Sequence, residues 1–356
     1  MVLLWLLAIV VGLVGKTVHD AGHLRALPDA RRHGACRKLG GTPEGTAFED
    51  LAYDGVTGTL IGAGDNRAAW YSGKRKANLQ RIVVSSALVT GLYVLDRDAV
   101  AVREVPITGA YPAADFHPHG LEWVESERRL LVVVHHALQD DAVVVFRAEE
   151  ADGRIVAFHF EAHVSPEGLA RHWNDVAYGG AGDFFVTNYE YYDQGDWMYL
   201  VEMYTQRPWG YVAHCTIATG ACTVLRDGLY LPNGIAVEGG HVRVVETLAK
   251  RVTTLDRDSG ATVSSVDTLG YACDNLTGSL TACHPRLFSF LAHVDDPHGT
   301  SAPVVVLDVD KGEIVYASAG EPGVDHDMPA VAGVVEADGV LFLGGVMGDG
   351  ILACLE

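Results

Sequence analysis

The chain has 356 residues, 40 of them glycine, and a formal net charge of −20. That is too long for one simple sandwich and too rich in turn formers for a helical protein. The charge argues against nucleic acid or an anionic membrane surface as electrostatic partner, and six cysteines without a CxxC pair argue against a zinc ribbon or thioredoxin-type motif.

Met1 to Gly15 is a continuous apolar run. As a helix it reaches roughly 22 Å, short of a ~30 Å hydrocarbon core. It is expected to be a signal peptide or a retained signal anchor, and the absence of an A-x-A site after it fits retention. The expected location is therefore secreted or membrane-anchored, facing the extracellular or lumenal side, where disulfides persist. Residues 16–35, with His19, His23, Arg31, Arg32 and His33, read as a stalk.

From residue 36 to 356 the pattern is all-β: short Val, Ile, Leu and Tyr runs separated by Gly and Asp turns. A weak repeat orders them. Leu95-Asp96-Arg97-Asp98 resembles Leu255-Asp256-Arg257-Asp258 and Leu307-Asp308-Val309-Asp310, with looser copies at Phe146–Gly153 and Cys215–Gly220. Intervals of about 40 to 70 residues match propeller repeats. The copy due near the C-terminus ends in Ile351-Leu352-Ala353-Cys354 without a following strand, which the segment around Cys36 can supply. The expectation is a six-bladed β-propeller whose last blade joins both ends of the chain, with Cys36 and Cys354 bridged across it. Cys215 and Cys222 flank a Thr-Gly turn and are also placed to pair; Cys273 and Cys283 stay open.

Polar residues open several apolar strands: Glu49-Asp50, Asn174-Asp175, Asn233 and Asp274-Asn275. Neither Asn nor Asp is a good strand former. One such site alone reads as an Asx turn or a capped strand end. Four in register, at the starts of inner strands that meet in a channel, read as oxygen donors for a hard cation such as calcium. Because neighbours on a strand face differently, the adjacent pairs suit two ions at two depths. His117 and His119, two apart, offer zinc as a rival; the oxygen donors favour calcium, and histidine is more useful there as a base.

Together Phe48-Glu49-Asp50-Leu51, Pro118-His119-Gly120-Leu121, Trp173-Asn174-Asp175-Val176, Pro232-Asn233-Gly234-Ile235, Asp274-Asn275 and Cys283-His284-Pro285 resemble the paraoxonase/arylesterase family, in that family's order. The resemblance implies a six-bladed propeller with two calcium ions that hydrolyses lactones and aryl esters. It implies Glu49, Asn174, Asn233, Asp274 and Asn275 at an upper, catalytic ion, and Asp50, Asp175 and the Leu121 carbonyl at a deeper one. It further implies a His119–His136 dyad, a Cys36–Cys354 bridge, an unpaired thiol at Cys283, and a hydrophobic N-terminus retained as a membrane or lipoprotein anchor. Asn188-Tyr189-Glu190 departs from the family's usual Asn-Asp-His, and His135 stands where Asn is common.

An aromatic insertion follows, including Tyr189, Trp197 and Tyr204, and residues 196–204 are expected to form a short amphipathic helix. It reads as a lid over the channel that touches lipid, or equally as core packing. The expected partners are a small lactone or ester and, through the lid and the N-terminal helix, a membrane or lipid; no nucleic acid is expected. Asn275-Leu276-Thr277 is a formal glycosylation sequon, expected to be unmodified because Asn275 faces the channel. The rivals are a gluconolactonase-like or strictosidine-synthase-like propeller, and a non-catalytic anchored binding propeller.

Overall fold

A computed structural model describes residues 15–22, 25–28, 35–43, 45–67, 91–95, 101–111, 116–136, 139–193, 196–348 and 350–355. Most of the apolar N-terminal run, together with His23, Arg31, Arg32, His33 and the Asp96–Asp98 turn, lies outside these residues.

Six sheets form the blades. β1 (Cys36–Lys38) belongs to the last of them. The first blade is β2 (Ala47–Asp54), β3 (Thr59–Asp65), β4 (Gly91–Leu95) and β5 (Arg103–Val105). The second is β7 (His117–Val124), β8 (Arg129–His135), β9 (Ala142–Ala151) and β10 (Arg154–Val164), with β6 (Ile107–Thr108) added parallel at its outer edge. β11 (Trp173–Gly180) to β14 (Cys222–Leu229) form the third, and β15 (Pro232–Glu238) to β18 (Thr262–Asp267) the fourth. β19 (Ala272–Thr277) to β22 (Glu313–Ser318) form the fifth. In the sixth, β23 (Val331–Ala337), β24 (Val340–Gly345) and β25 (Ile351–Leu355) pair onward to β1, with Cys36 opposite Cys354. The ring closes as the repeat requires, and the Cys36–Cys354 disulfide crosses the closing pair.

The turns that revealed the repeat join third strand to fourth. Gly153, Gly220, Gly260 and Gly312 all have positive φ and sit between such strands. The apolar runs have an equally plain cause. In β8, Leu130, Val132 and Val134 pack into the cluster between blades one and two, while Leu131 and Val133 pack into the cluster between blades two and three. A strand buried on both faces carries no polar alternation. Six such clusters fill the six interfaces between blades.

Outside the sheets lie α1 (Trp197–Thr205) and α2 (Leu287–Asp295). α1 starts where the sequence places it, because the Asp196 side chain accepts from Met198 N at 2.9 Å and caps it. The described part of the expected stalk is not a free spacer. Residues 15–20 are helical, Ala21 is buried, and Leu287 N donates to Ala21 O at 2.9 Å, docking the leader at the start of α2.

Candidate functional site

Every inner strand carries a β-bulge at the same place. The register against the next strand slips between Phe48 and Leu51, Pro118 and Leu121, Trp173 and Val176, Pro232 and Ile235, Cys273 and Leu276, and Val331 and Gly333. A bulge frees two consecutive residues from the ladder and re-aims them. This is how polar pairs sit inside apolar strands. In the first five blades the first of the two residues is Glu49, His119, Asn174, Asn233 and Asp274, and the second is Asp50, Gly120, Asp175, Gly234 and Asn275; in the sixth only Ala332 leaves the ladder, because Gly333 pairs with Gly344.

The two sets open onto different cavities. Glu49, His119, Asn174, Asn233 and Asp274 line a 90 Å³ pocket on the side of α1 and α2. Asp50, Leu121 and Asp175 line a 550 Å³ cavity that also contains Glu122, Arg243 and Asp310. Asn275 is buried, and its Nδ2 donates to Glu49 O at 2.9 Å, bridging blade five to blade one.

Asp50 and Asp175 repeat one device. Asp50 Oδ1 accepts from Leu51 N and Oδ2 from Leu121 N, both at 2.8 Å; Asp175 accepts from Val176 N and Ile235 N, also at 2.8 Å. Each carboxylate links its own strand to the next blade. Glycine occupies the alternate positions because the backbones nearly touch. A Cβ on Gly120 would lie 2.5 Å from Asp175 Oδ1, and one on Gly234 would lie 2.4 Å from Leu276 N.

His119 sits in the pocket wall. Its Nε2 is 2.9 Å from Asn174 Nδ2 and 3.5 Å from Glu49 Oε1, and Arg67 Nη2 contacts its Nδ1. The ring packed against it, 4.5 Å between centroids, is His135, which lies 3.1 Å from Asp141 Oδ2. His136 packs on His163 instead, at 5.5 Å between centroids. His117 is drawn to Asp65 at 3.3 Å, so the two-apart spacing of His117 and His119 does not make a shared ligand set.

The expected lid divides. Tyr189 is buried and lines the pocket, whereas Trp197 and Tyr204 are 70% and 61% exposed. Tyr199 and Met203 are the α1 residues that reach the pocket. Three further residues of the pocket carry no role in the sequence reading: Arg67, Glu190 and His284, whose Nε2 is 3.5 Å from Asp274 Oδ2. His284 stands in the Cys283-His284-Pro285 motif, a signal that was available. Nothing around Arg67 marked it. The sequence reading also missed α2, which follows directly on Pro285 and Arg286.

Cys283 is not the free thiol that the resemblance implied. It is bonded to Cys273, which faces it across β19 and β20 (Leu280–His284), and Cys215 is bonded to Cys222. All three disulfides join residues directly opposite on antiparallel strands, with Cα atoms 3.8 to 4.1 Å apart.

Several carboxyls around the channel are held above their ordinary range. Burial pushes the Glu49 carboxyl well above its ordinary range, opposed by Arg67 and reinforced by Asp274 and Asp50. Burial raises Asp50 to about 7 despite its two amide donors, and raises Asp175 well above normal with Asp50 adding to it. Desolvation by the channel wall, with Asp50 nearby, takes Glu122 up to about 8. Glu49 Oε2, Asn174 Oδ1, Asn233 Oδ1 and Asn275 Oδ1 are buried without a hydrogen-bond partner. Buried oxygens of this kind are rare unless something absent from a protein-only description satisfies them. Among the described residues no three His, Cys, Asp or Glu side chains gather as a metal site, since amides take up much of the ring. Neutral amide oxygens mixed with carboxylates fit calcium and do not fit zinc.

A profile of the Arylesterase family matches residues 82–326, more than half of the chain. Among solved structures, a luciferin-regenerating enzyme superposes with a TM-score of 0.52 at 10% identity, covering 90% of this chain and 95% of that one. A gluconolactonase from Xanthomonas campestris gives 0.50 at 14%, covering 92% and 98%. An aldose sugar dehydrogenase from Streptomyces coelicolor in its PQQ-bound form gives 0.50 at 12%, covering 92% and 99%. Identities this low show a shared fold. No curated protein matches.

Proposed function

Because the chain belongs to the arylesterase family, we propose that it is a calcium-dependent hydrolase of lactones and aryl esters. What supports this reading is the group of four buried oxygens without a hydrogen bond, from blades one, three, four and five, three of them on residues lining one small pocket. Glu49, Asn174, Asn233, Asp274 and Asn275 would hold an upper ion, and Asp50, Asp175 and the Leu121 carbonyl a lower one. A cation seated above supplies Lewis acidity toward an ester carbonyl.

The chain's own residues do the rest. The Asn174 and Asn233 amides face the pocket and donate hydrogen bonds to the oxyanion as charge develops. His119 is the group that the resemblance assigns to take the proton of the attacking water, which requires a ring nitrogen released from its contact with Arg67 or Asn174. The resemblance pairs His119 with His136, whereas the ring packed on His119 is His135 and His136 packs on His163. Glu49 and Asp274 are the alternative proton acceptors. Tyr189, Tyr199, Met203 and Leu291 wall the pocket and limit water. The exposed Trp197, Leu200 and Tyr204 on α1 are suited to a lipid surface, in a secreted or membrane-anchored protein held by its apolar N-terminus. Among the described residues no helix is long and apolar enough to cross a membrane.

The test is turnover of aliphatic lactones and aryl esters with and without chelator, beside a metal count on the dialysed protein. Calcium-dependent hydrolysis with two bound ions is expected. Absence of turnover on every member would leave a binding propeller. His119→Gln and Asp274→Asn, compared at saturating calcium, identify the base: full activity in the first removes His119 from that role.

A further inference from the structure

The channel has a second mouth, at the end away from α1 and α2. Glu49, Asn233 and Asp274, near the starts of β2, β15 and β19, line the 90 Å³ pocket. Tyr53, Glu238 and Thr277, at or near the ends of the same strands, line the 550 Å³ cavity. Asp50, Asp175 and Leu121, the groups assigned to the deeper ion, line that cavity and are absent from the pocket wall. Between the two the inner strands nearly touch. A Cβ on Gly234 would sit 2.4 Å from Leu276 N, and one on Gly333 would sit 2.9 Å from Asp50 Cα. The bore that joins pocket to cavity is therefore narrow.

The cavity is built for a cation to pass. Among the described residues that line it are five carboxylates, those of Asp50, Glu122, Asp175, Glu238 and Asp310, against the one guanidinium of Arg243. A cleft lined by one sign of charge raises the local concentration of the opposite ion. Arg243, on β16 (His241–Glu246) of blade four, is held at the rim. Its Nη2 and Nη1 donate to Asp310 at 2.5 and 3.3 Å, and Glu238 lies 3.6 Å away. Asp310 stands in the turn before β22, so the pair ties blade four to blade five across the mouth. Both acids are exposed, whereas Arg243 is buried. Size points the same way. Calcium carrying six to eight waters occupies roughly 200 Å³ at ~30 Å³ per water. The cavity admits that volume and the pocket does not.

We propose that the deeper ion enters and leaves through this far cavity, by a route separate from the substrate pocket, with the Arg243–Asp310 pair standing at its mouth. This rests on the two-ion reading. It follows that a molecule seated in the pocket does not trap the deeper ion, and that a chelator strips the two ions from opposite ends of the channel.

The experiment mixes the calcium-loaded full chain with a fluorescent chelator, follows release by stopped flow, and follows reloading of the chelated protein. Two phases are expected, one per ion. Ser279→Trp places an indole in the cavity wall and is expected to slow release and loading of one ion together, on the order of tenfold, with its Kd within about twofold of wild type. Equal slowing in both directions marks a group on the route, whereas a changed Kd marks a group that supports the site. Met203→Trp, in the pocket wall, is expected to slow the other phase alone. Glu238→Gln removes one exposed carboxylate from the rim, a change that the fold tolerates. It is expected to slow loading of the first ion about threefold at low salt, with the difference fading as salt rises. Slowing of both phases by Met203→Trp overturns the proposal. So does a Ser279→Trp protein whose rates are unchanged, or whose Kd shifts in step with release. Loading in Glu238→Gln equal to wild type at every salt concentration also overturns it, and needs no bulky variant to fold. A dialysed wild type holding fewer than two calcium ions refutes the two-ion reading itself, a failure distinct from that of the route.

Discussion

Cys273 lies directly opposite Cys283, with 3.8 Å between Cα atoms, and the bond between them sits beside the bulge that presents Asp274 and Asn275. Cys283 in turn precedes His284. One covalent link thus joins the start of β19 to the end of β20, both of which feed the pocket. The paired Cys273→Ser and Cys283→Ser variant loses a closed loop of about ten residues, whose entropic contribution is roughly 2.5 to 3 kcal/mol at most. A lower Tm is expected, together with weaker calcium binding measured by titration well below that Tm. Loss of stability with unchanged calcium affinity would make the link a staple alone.

The buried carboxyls give the metal-free protein an unusual pH response. Asp50 titrates at about 7 in the fold against an ordinary 3.8, and Glu122 at about 8 against 4.5, both because burial disfavours the anion. Between those limits the folded state binds more protons than the unfolded state, so stability falls as pH rises. For Asp50 the loss is on the order of 4 kcal/mol once pH passes its folded value. Chelated protein is expected to melt higher near pH 5 than near pH 8.5, and calcium is expected to flatten that slope. Denaturation at several pH values, with and without chelator, measures it.

Gly120→Ala is expected to be severe. The added methyl would meet Asp175 Oδ1 at 2.5 Å and the Asn174 carbonyl oxygen, a backbone atom, at 2.6 Å. Overpacking of this kind costs typically 1 to 3 kcal/mol. Because it displaces two site residues, calcium affinity is expected to fall with stability. Thermal melts and calcium titration on the same variant check both.

Glu202 fastens α1 from beneath. It is buried, accepts from Tyr191 N at 3.0 Å and from Tyr192 N at 3.2 Å, and so ties the helix to the segment that carries Tyr189. Glu202→Ala leaves those amides without their acceptor, at about 1 to 3 kcal/mol. A raised KM with kcat less affected is expected, along with faster proteolysis within residues 189–209. Unchanged proteolysis would show that α1 is held by other contacts.

The blade count, the closing strand and the Cys36–Cys354 bridge were legible because turn chemistry is local: a Gly of positive φ marks the third-to-fourth strand turn of blades two to five whatever surrounds it. The inner-strand donors were legible because polar pairs inside apolar runs need a reason. The bulges were not, since slippage of register is a property of two strands and appears in neither alone. Arg67 reaches the pocket through tertiary placement, with no motif to announce it. Cys273 and Cys283 look unrelated at ten residues apart until the hairpin puts them face to face. The leader read as a stalk because its polar composition hides the backbone bonds that dock it.

The joining of β1 to β25 also bears on how the molecule is made. The two cysteines that close the ring are 318 residues apart, and β1 emerges from the ribosome first. Until β25 is synthesised, β1 has no strand to pair with, and the sixth blade has an open edge on which another nascent chain could add. Contacts this distant in sequence form slowly. The Cys36–Cys354 bridge is therefore the last that the chain can close, and bridging of Cys36 to one of the intervening cysteines is the error that folding has to reverse.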